Sequence, residues 1–208
     1  MFSSIVPLFL GLYYYGSLTR EIRILVFYIA FVFVVEISVT FFVLKGINNL
    51  WILHFYIPVE YILLVIFFSY LQKNRLIQKV LLFSIPIFII ISIVNSWLLE
   101  GLTKFPSHSR SIESVVLIGI GAYTLFELSK NSVMSLLSDS RFWIVFAILL
   151  YSMSTLLLFA LSNTLAIQPM HIYRLVWSLL NFDVNIISNF LYAGGILCQN
   201  QAQRSGLH

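Results

Sequence analysis

Seven long apolar runs, each closed off by a short polar connection, constrain this chain more than any other feature. They cover about 2–18, 24–44, 50–71, 80–99, 112–128, 142–161 and 172–198. Some ~20 apolar residues in helical form cross the hydrocarbon core of a bilayer. Helices are the natural element, because backbone groups in lipid have to be satisfied within their own segment. Composition agrees: charged residues make up 10% of the chain and hydrophobic residues 60%, where a soluble domain has roughly 25% charged. The expected fold is an all-α integral membrane protein, a single bundle of seven transmembrane helices spanning 1–198. A short polar tail, 199–208, follows it.

No basic stretch and no small-residue cleavage site mark the first run as a signal peptide, so it is expected to stay as the first helix. Cys198 is the single cysteine, which excludes an intrachain disulfide. The basic residues sort by side. Arg20, Arg23, Lys73, Arg75, Lys79, Lys130, Arg141 and Arg204 make eight on one face, against Lys45, Lys104, Arg110 and Arg174 on the other. By the positive-inside rule the N-terminus is expected outside and the C-terminus in the cytoplasm. The net charge of +4 therefore reports topology and not nucleic-acid binding. Connections of about a dozen residues leave no room for a fused soluble module. If the protein signals, it signals through a partner.

Three carboxylates interrupt the apolar runs: Glu36, Glu60 and Asp183. An ionisable group at the bilayer centre costs roughly 2.5–3.5 kcal/mol on insertion scales, so it marks a site by default. Glu36 lies nine residues from Lys45, Glu60 eleven from Asn49, and Asp183 nine from Arg174. At ~1.5 Å per residue all three fall roughly 13–17 Å below the outer helix ends. One layer near the midplane suggests one shared cavity. The alternative is that each acid only ties neighbouring helices together.

Helical spacing adds partners. Asn181, Asn185, Ser188 and Asn189 recur as a stripe on the last run, with Asp183 on the opposite side. This stripe is either an amide ladder between helices or the lining of a path. Asn95 groups with Ser92 and Ser96 on the fourth run, Tyr151 with Thr155 on the sixth, and Glu36 with Thr40 on the second. His54 and Glu60, six residues apart, point about 240° apart on a helix, although Pro58 between them offers a kink. His54 is therefore read as either a proton relay or a residue of the interfacial belt. In the polar stretch 105–113, Ser111 is a plausible N-cap and Glu113 suits the first turn. Arg110 and Glu113 are spaced to pair. That stretch is either an ordinary helix entrance or an outer gate formed by Arg110, Glu113 and His54.

No H-x-x-x-H or H-E-x-x-H pair, G-x-S-x-G elbow or phosphate loop occurs, and the last run holds no lysine for a Schiff base. No catalytic residue, metal or cofactor is assigned. At Asn48-Asn49-Leu50 with His54 and Glu60, at Ser109-Arg110 with Glu113, and at Phe142-Trp143-Ile144 with Tyr151, the chain resembles a group of small seven-helix membrane proteins of Bacteroidota. The resemblance implies a bacterial inner membrane and a fold, but lends no mechanism. The function expected is a small carrier or permeation protein for a small solute, cation or proton. A receptor-like sensor is the alternative, and a membrane-embedded scaffold or assembly subunit the third. The partners expected beside the lipid bilayer are a cytoplasmic signalling protein or further copies in a homo-oligomer.

Overall fold

The computed structural model describes residues 3–131, 136–166 and 169–204, and among these it is helical, with no strand. In chain order the helices are α1 (Ile5–Tyr13), α2 (Arg20–Leu44), α3 (Leu50–Leu71), α4 (Arg75–Val94), α5 (Ser107–Asn131), α6 (Ser140–Ala166), α7 (Met170–Trp177) and α8 (Val184–Arg204). A π-helical turn, Asn95–Glu100, prolongs α4, and another, Ser178–Asp183, joins α7 to α8.

Among the described residues five helices are long and apolar enough to cross a membrane: Arg20–Leu44, Leu50–Leu71, Arg75–Glu100, Ser107–Lys130 and Ser140–Phe159. The first and last of the seven expected runs are not among them. Helix α1 has nine residues, which at ~1.5 Å each is roughly half the depth of a hydrocarbon core. It gives way to a 3-10 turn at Tyr15–Ser17. The last run is helical, but Asn181, Asp183, Asn185 and Asn189 dilute its apolar character. Its helix also continues through the expected polar tail to Arg204. Residues 205–208, like Phe2 at the expected start of the first run, lie outside the described residues.

Helix α5 opens at Ser107, a turn before the Ser111 cap read from the sequence. The cap comes from another helix instead. Glu100 Oε1 accepts from the His108 backbone N–H at 2.9 Å and lies 2.7 Å from His108 Nδ1. A carboxylate at that end satisfies an orphan donor and suits the positive end of the dipole.

Contacts run from α2 to α3, α3 to α5, α5 to α6, α6 to α8, α8 to α1, and α1 back to α2. The six helices close a ring, and α4 packs outside it on α3 and more lightly on α5. Ile22, Leu25, Ile29, Leu64, Phe68, Ile144, Ile148 and Ile196 are fully buried where ring neighbours meet. Gly195 lets α8 approach α6: a Cβ there would lie 3.0 Å from the Ser140 carbonyl oxygen and 2.7 Å from Ile144. Small residues at such crossings let backbones pack closely in lipid, where dispersion and interhelical hydrogen bonds drive association. On α4, Phe83, Ile90, Trp97 and Leu98 are exposed. Such a surface fits hydrocarbon rather than water.

Candidate functional site

The ring interior is polar, and five helices build it. Glu60 of α3 is 0% exposed, Glu113 of α5 is 1% and Arg110 of α5 is 7%. Arg110 Nη1 donates to Glu60 Oε2 and also to Glu113 Oε2 at 2.7 Å. Its Nη2 donates to the Tyr151 hydroxyl of α6 at 2.6 Å. The Tyr28 hydroxyl of α2 donates to the other oxygen of Glu60 at 2.9 Å. The Tyr56 hydroxyl also lies near that of Tyr151, and the Tyr192 hydroxyl, from α8, near that of Tyr28. The guanidinium also lies over two rings, 5.3 Å from the centre of Tyr151 and 5.8 Å from that of Tyr56, at the distance where ring quadrupoles attract a cation.

Local sequence explains this placement. Arg110 and Glu113 sit at i, i+3 on one face of α5, so one side chain can bond the other. Glu60 lies ten residues from the start of α3 at Leu50, about 15 Å into the bundle. The α4–α5 connection dips to meet it. His54 Nδ1 pairs with Ser96 Oγ at 2.7 Å, and His54 Nε2 with the Lys104 carbonyl oxygen at 3.0 Å. Lys104 is thereby drawn to the level of His54, one turn below the start of α3, and α5 begins already inside the bundle.

The cluster is unbalanced in charge and in hydrogen bonds. One guanidinium faces two carboxylates, which leaves one negative charge in excess when both acids are ionised. Glu113 Oε1 is buried and has no hydrogen-bond partner among the described residues. Buried polar oxygens are nearly always paired, so an orphan of this kind marks a place where a proton or a cation belongs.

Glu36 stands elsewhere. Its Oε2 accepts from Ser4 Oγ at 2.7 Å, at the start of α1. With Ser3, Thr40, Asn181, Phe182 and Asn185 it borders a cleft of about 180 Å³ between α2 and the turn that precedes α8. Asn189 donates to Asn185 at 2.7 Å and to Ser3 at 2.9 Å, so the amide stripe of the last run faces α1. Asp183 is exposed.

The three acids therefore do not share one cavity. Equal depth does not fix azimuth: Glu60 turns to the ring centre, Glu36 to the α1 seam and Asp183 outward. Arg110 and Glu113 close on Glu60 inside the ring and do not form an outer gate. His54 fastens the α4–α5 connection, and Asn95 donates to Ser109 at 3.3 Å in the neighbouring seam. Tyr28, Tyr56 and Tyr192 are members that the sequence reading missed. Their signal was depth, because tyrosine in a membrane helix normally sits at the interfacial belt and these lie inside. Among the described residues no group of three His, Cys, Asp or Glu side chains could hold a metal ion. No protein-family model, curated protein or solved structure matches this chain, so every functional statement about it rests on its own geometry.

Proposed function

We propose that the chain is a small carrier or permeation protein of a bacterial inner membrane, coupled to protons or a small cation through Arg110, Glu60 and Glu113. The observation that carries this reading is the orphan Glu113 Oε1 in a cluster with one charge in excess. Ionisable groups buried among membrane helices are expensive and normally functional. Loading a proton onto either acid loosens its hold on Arg110. Arg110 is then free to lean on Tyr151, and the balance between α3 and α6 shifts. A ligand moves such an equilibrium only through differential affinity for its two states, and the proton has that affinity because it removes one arm of the Arg110 network.

The reading includes seven membrane-embedded helical segments with the N-terminus outside. Arg110 is buried in the ring, so the outer face keeps three basic residues, four less Arg110, against eight inside, which strengthens the positive-inside bias. The test is reconstitution in liposomes carrying an internal pH dye. A proton flux under an imposed gradient is expected, reduced at least tenfold in Glu113→Gln and unchanged in Glu127→Gln.

Complete burial of the cluster favours a second reading, an ionic lock in a membrane-embedded scaffold. In that case no gradient produces flux, and Glu60→Gln and Glu113→Gln change only thermal stability. That result overturns the carrier reading.

A further inference from the structure

The cleft at Glu36 is a consequence of the short first helix. Helix α1 begins beside Glu36, whereas α2 runs on for eight residues to Leu44, roughly 12 Å further. Along that length no described residue of α1 lies in the seam between α2 and the α7–α8 segment. The gap left there sets polar groups among Val39, Phe182 and Ile186, between helices that turn apolar side chains outward, such as Ile37, Phe41, Ile187 and Phe190.

Among the described residues Glu36 is the one ionisable side chain on the lining, and no basic side chain borders the cleft. Ser4 occupies one oxygen of Glu36, and the other accepts no hydrogen bond among the described residues. The Thr40 hydroxyl donates back to the Glu36 carbonyl at 2.7 Å, so it faces the cleft as an acceptor. Asn181 makes no hydrogen bond among the described residues, and its amide is free for a guest. Phe182 adds a ring at the wall.

A second observation points the same way. Asn181 and Phe182 reach the cleft from the π-helical turn Ser178–Asp183, and such turns are rare and concentrate at functional sites. Ser154 of α6 donates to the Leu180 carbonyl and holds the turn in place. A carboxylate, an acceptor hydroxyl, an unpaired amide and an aromatic ring are the groups that recognise an organic cation. The volume, about 180 Å³, is several times the ~30 Å³ share of a water molecule. It is therefore far larger than the tight oxygen shell a bare metal cation requires.

We infer that the Glu36 cleft binds an organic ammonium group, with Glu36 as counter-ion, Asn181 and Thr40 as hydrogen-bonding walls and Phe182 as the stacking face. The ammonium comes either from a free small amine or from the headgroup of an amino lipid reaching in between α2 and α8. The site is separate from the Arg110 cluster, and its occupancy does not depend on transport.

The experiment is equilibrium binding to the full chain in detergent micelles, with ethylammonium and tetramethylammonium as probes and sodium at equal ionic strength as the control. The thermal midpoint is expected to rise with either ammonium and not with sodium. Glu36→Gln, which keeps the shape of a half-exposed side chain, is expected to weaken the apparent Kd at least tenfold, and Asn181→Ala severalfold. Glu113→Gln is expected to leave binding unchanged, which keeps this result distinct from that of the flux assay. Nanodiscs of phosphatidylethanolamine against phosphatidylglycerol separate the two sources. Retained lipid in the first, lost in Glu36→Gln, identifies the headgroup; binding of free amine alone identifies the small molecule. Equal shifts with sodium, no shift with either ammonium, or unaltered binding in Glu36→Gln each overturn the inference.

Discussion

Arg110 joins side chains of α3, α5 and α6 at one point. It bonds Glu60, Glu113 and Tyr151 and lies against Tyr56. Arg110→Ala leaves two carboxylates facing each other without a cation. Breaking a buried ion pair from one side costs about 3–5 kcal/mol, so this variant is expected to unfold well below the wild type in a thermal scan. The combined Glu60→Gln, Arg110→Met, Glu113→Gln variant is expected to regain most of that loss, because no charge is left unpaired. A triple variant as unstable as Arg110→Ala would show that shape rather than charge is what the cluster supplies. Sequence spacing was enough to pair Arg110 with Glu113, since both lie within one helical turn. It was not enough to reveal Glu60 as the shared partner. That contact crosses from α3 to α5 and depends on rotations that no periodicity specifies.

At the scale of elements, close helix crossings separate two adjacent glycines. A Cβ on Gly195 meets Ile144 and the Ser140 carbonyl, while one on Gly194 meets nothing within 4 Å. Overpacking costs about 1–3 kcal/mol, and relieving a helical glycine gains up to ~1 kcal/mol. Gly195→Ala is thus expected to lower the thermal midpoint, and Gly194→Ala to leave it level or raise it. Their identical response would remove the crossing as an explanation. His54→Ala is expected to release the α4–α5 connection, read as faster amide hydrogen exchange over 101–108 with α3 unchanged. Long apolar helices were plain in the sequence because length and composition alone define them. The π-helical turns were not, since one extra residue per turn leaves no mark in a pattern of polar and apolar positions.

For the whole molecule, the expected orientation is open to labelling. With Cys198 replaced by Ser, Lys45→Cys is expected to react with an impermeant thiol reagent from outside intact cells, and Lys73→Cys only after permeabilisation. The reverse pattern would invert the proposed orientation. Helices long and apolar enough to cross a membrane were legible at once, whereas the separation of the three acids was not, because depth is a one-dimensional coordinate and a ring of helices has two more.

The order in which ring members occur along the chain bears on how the protein is made. A ribosome delivers Tyr28 first, then Glu60, then Arg110 and Glu113, then Tyr151 and finally Tyr192. Glu60 is therefore synthesised some fifty residues ahead of its cation, 110 minus 60. By then the Tyr28 hydroxyl, 2.9 Å away in the finished ring, has already been made. Insertion in this order would let a hairpin of α2 and α3 shield the acid until α5 brings the counter-charge. A Tyr28→Phe chain is expected to show its defect in insertion yield during synthesis rather than in the stability of molecules already folded.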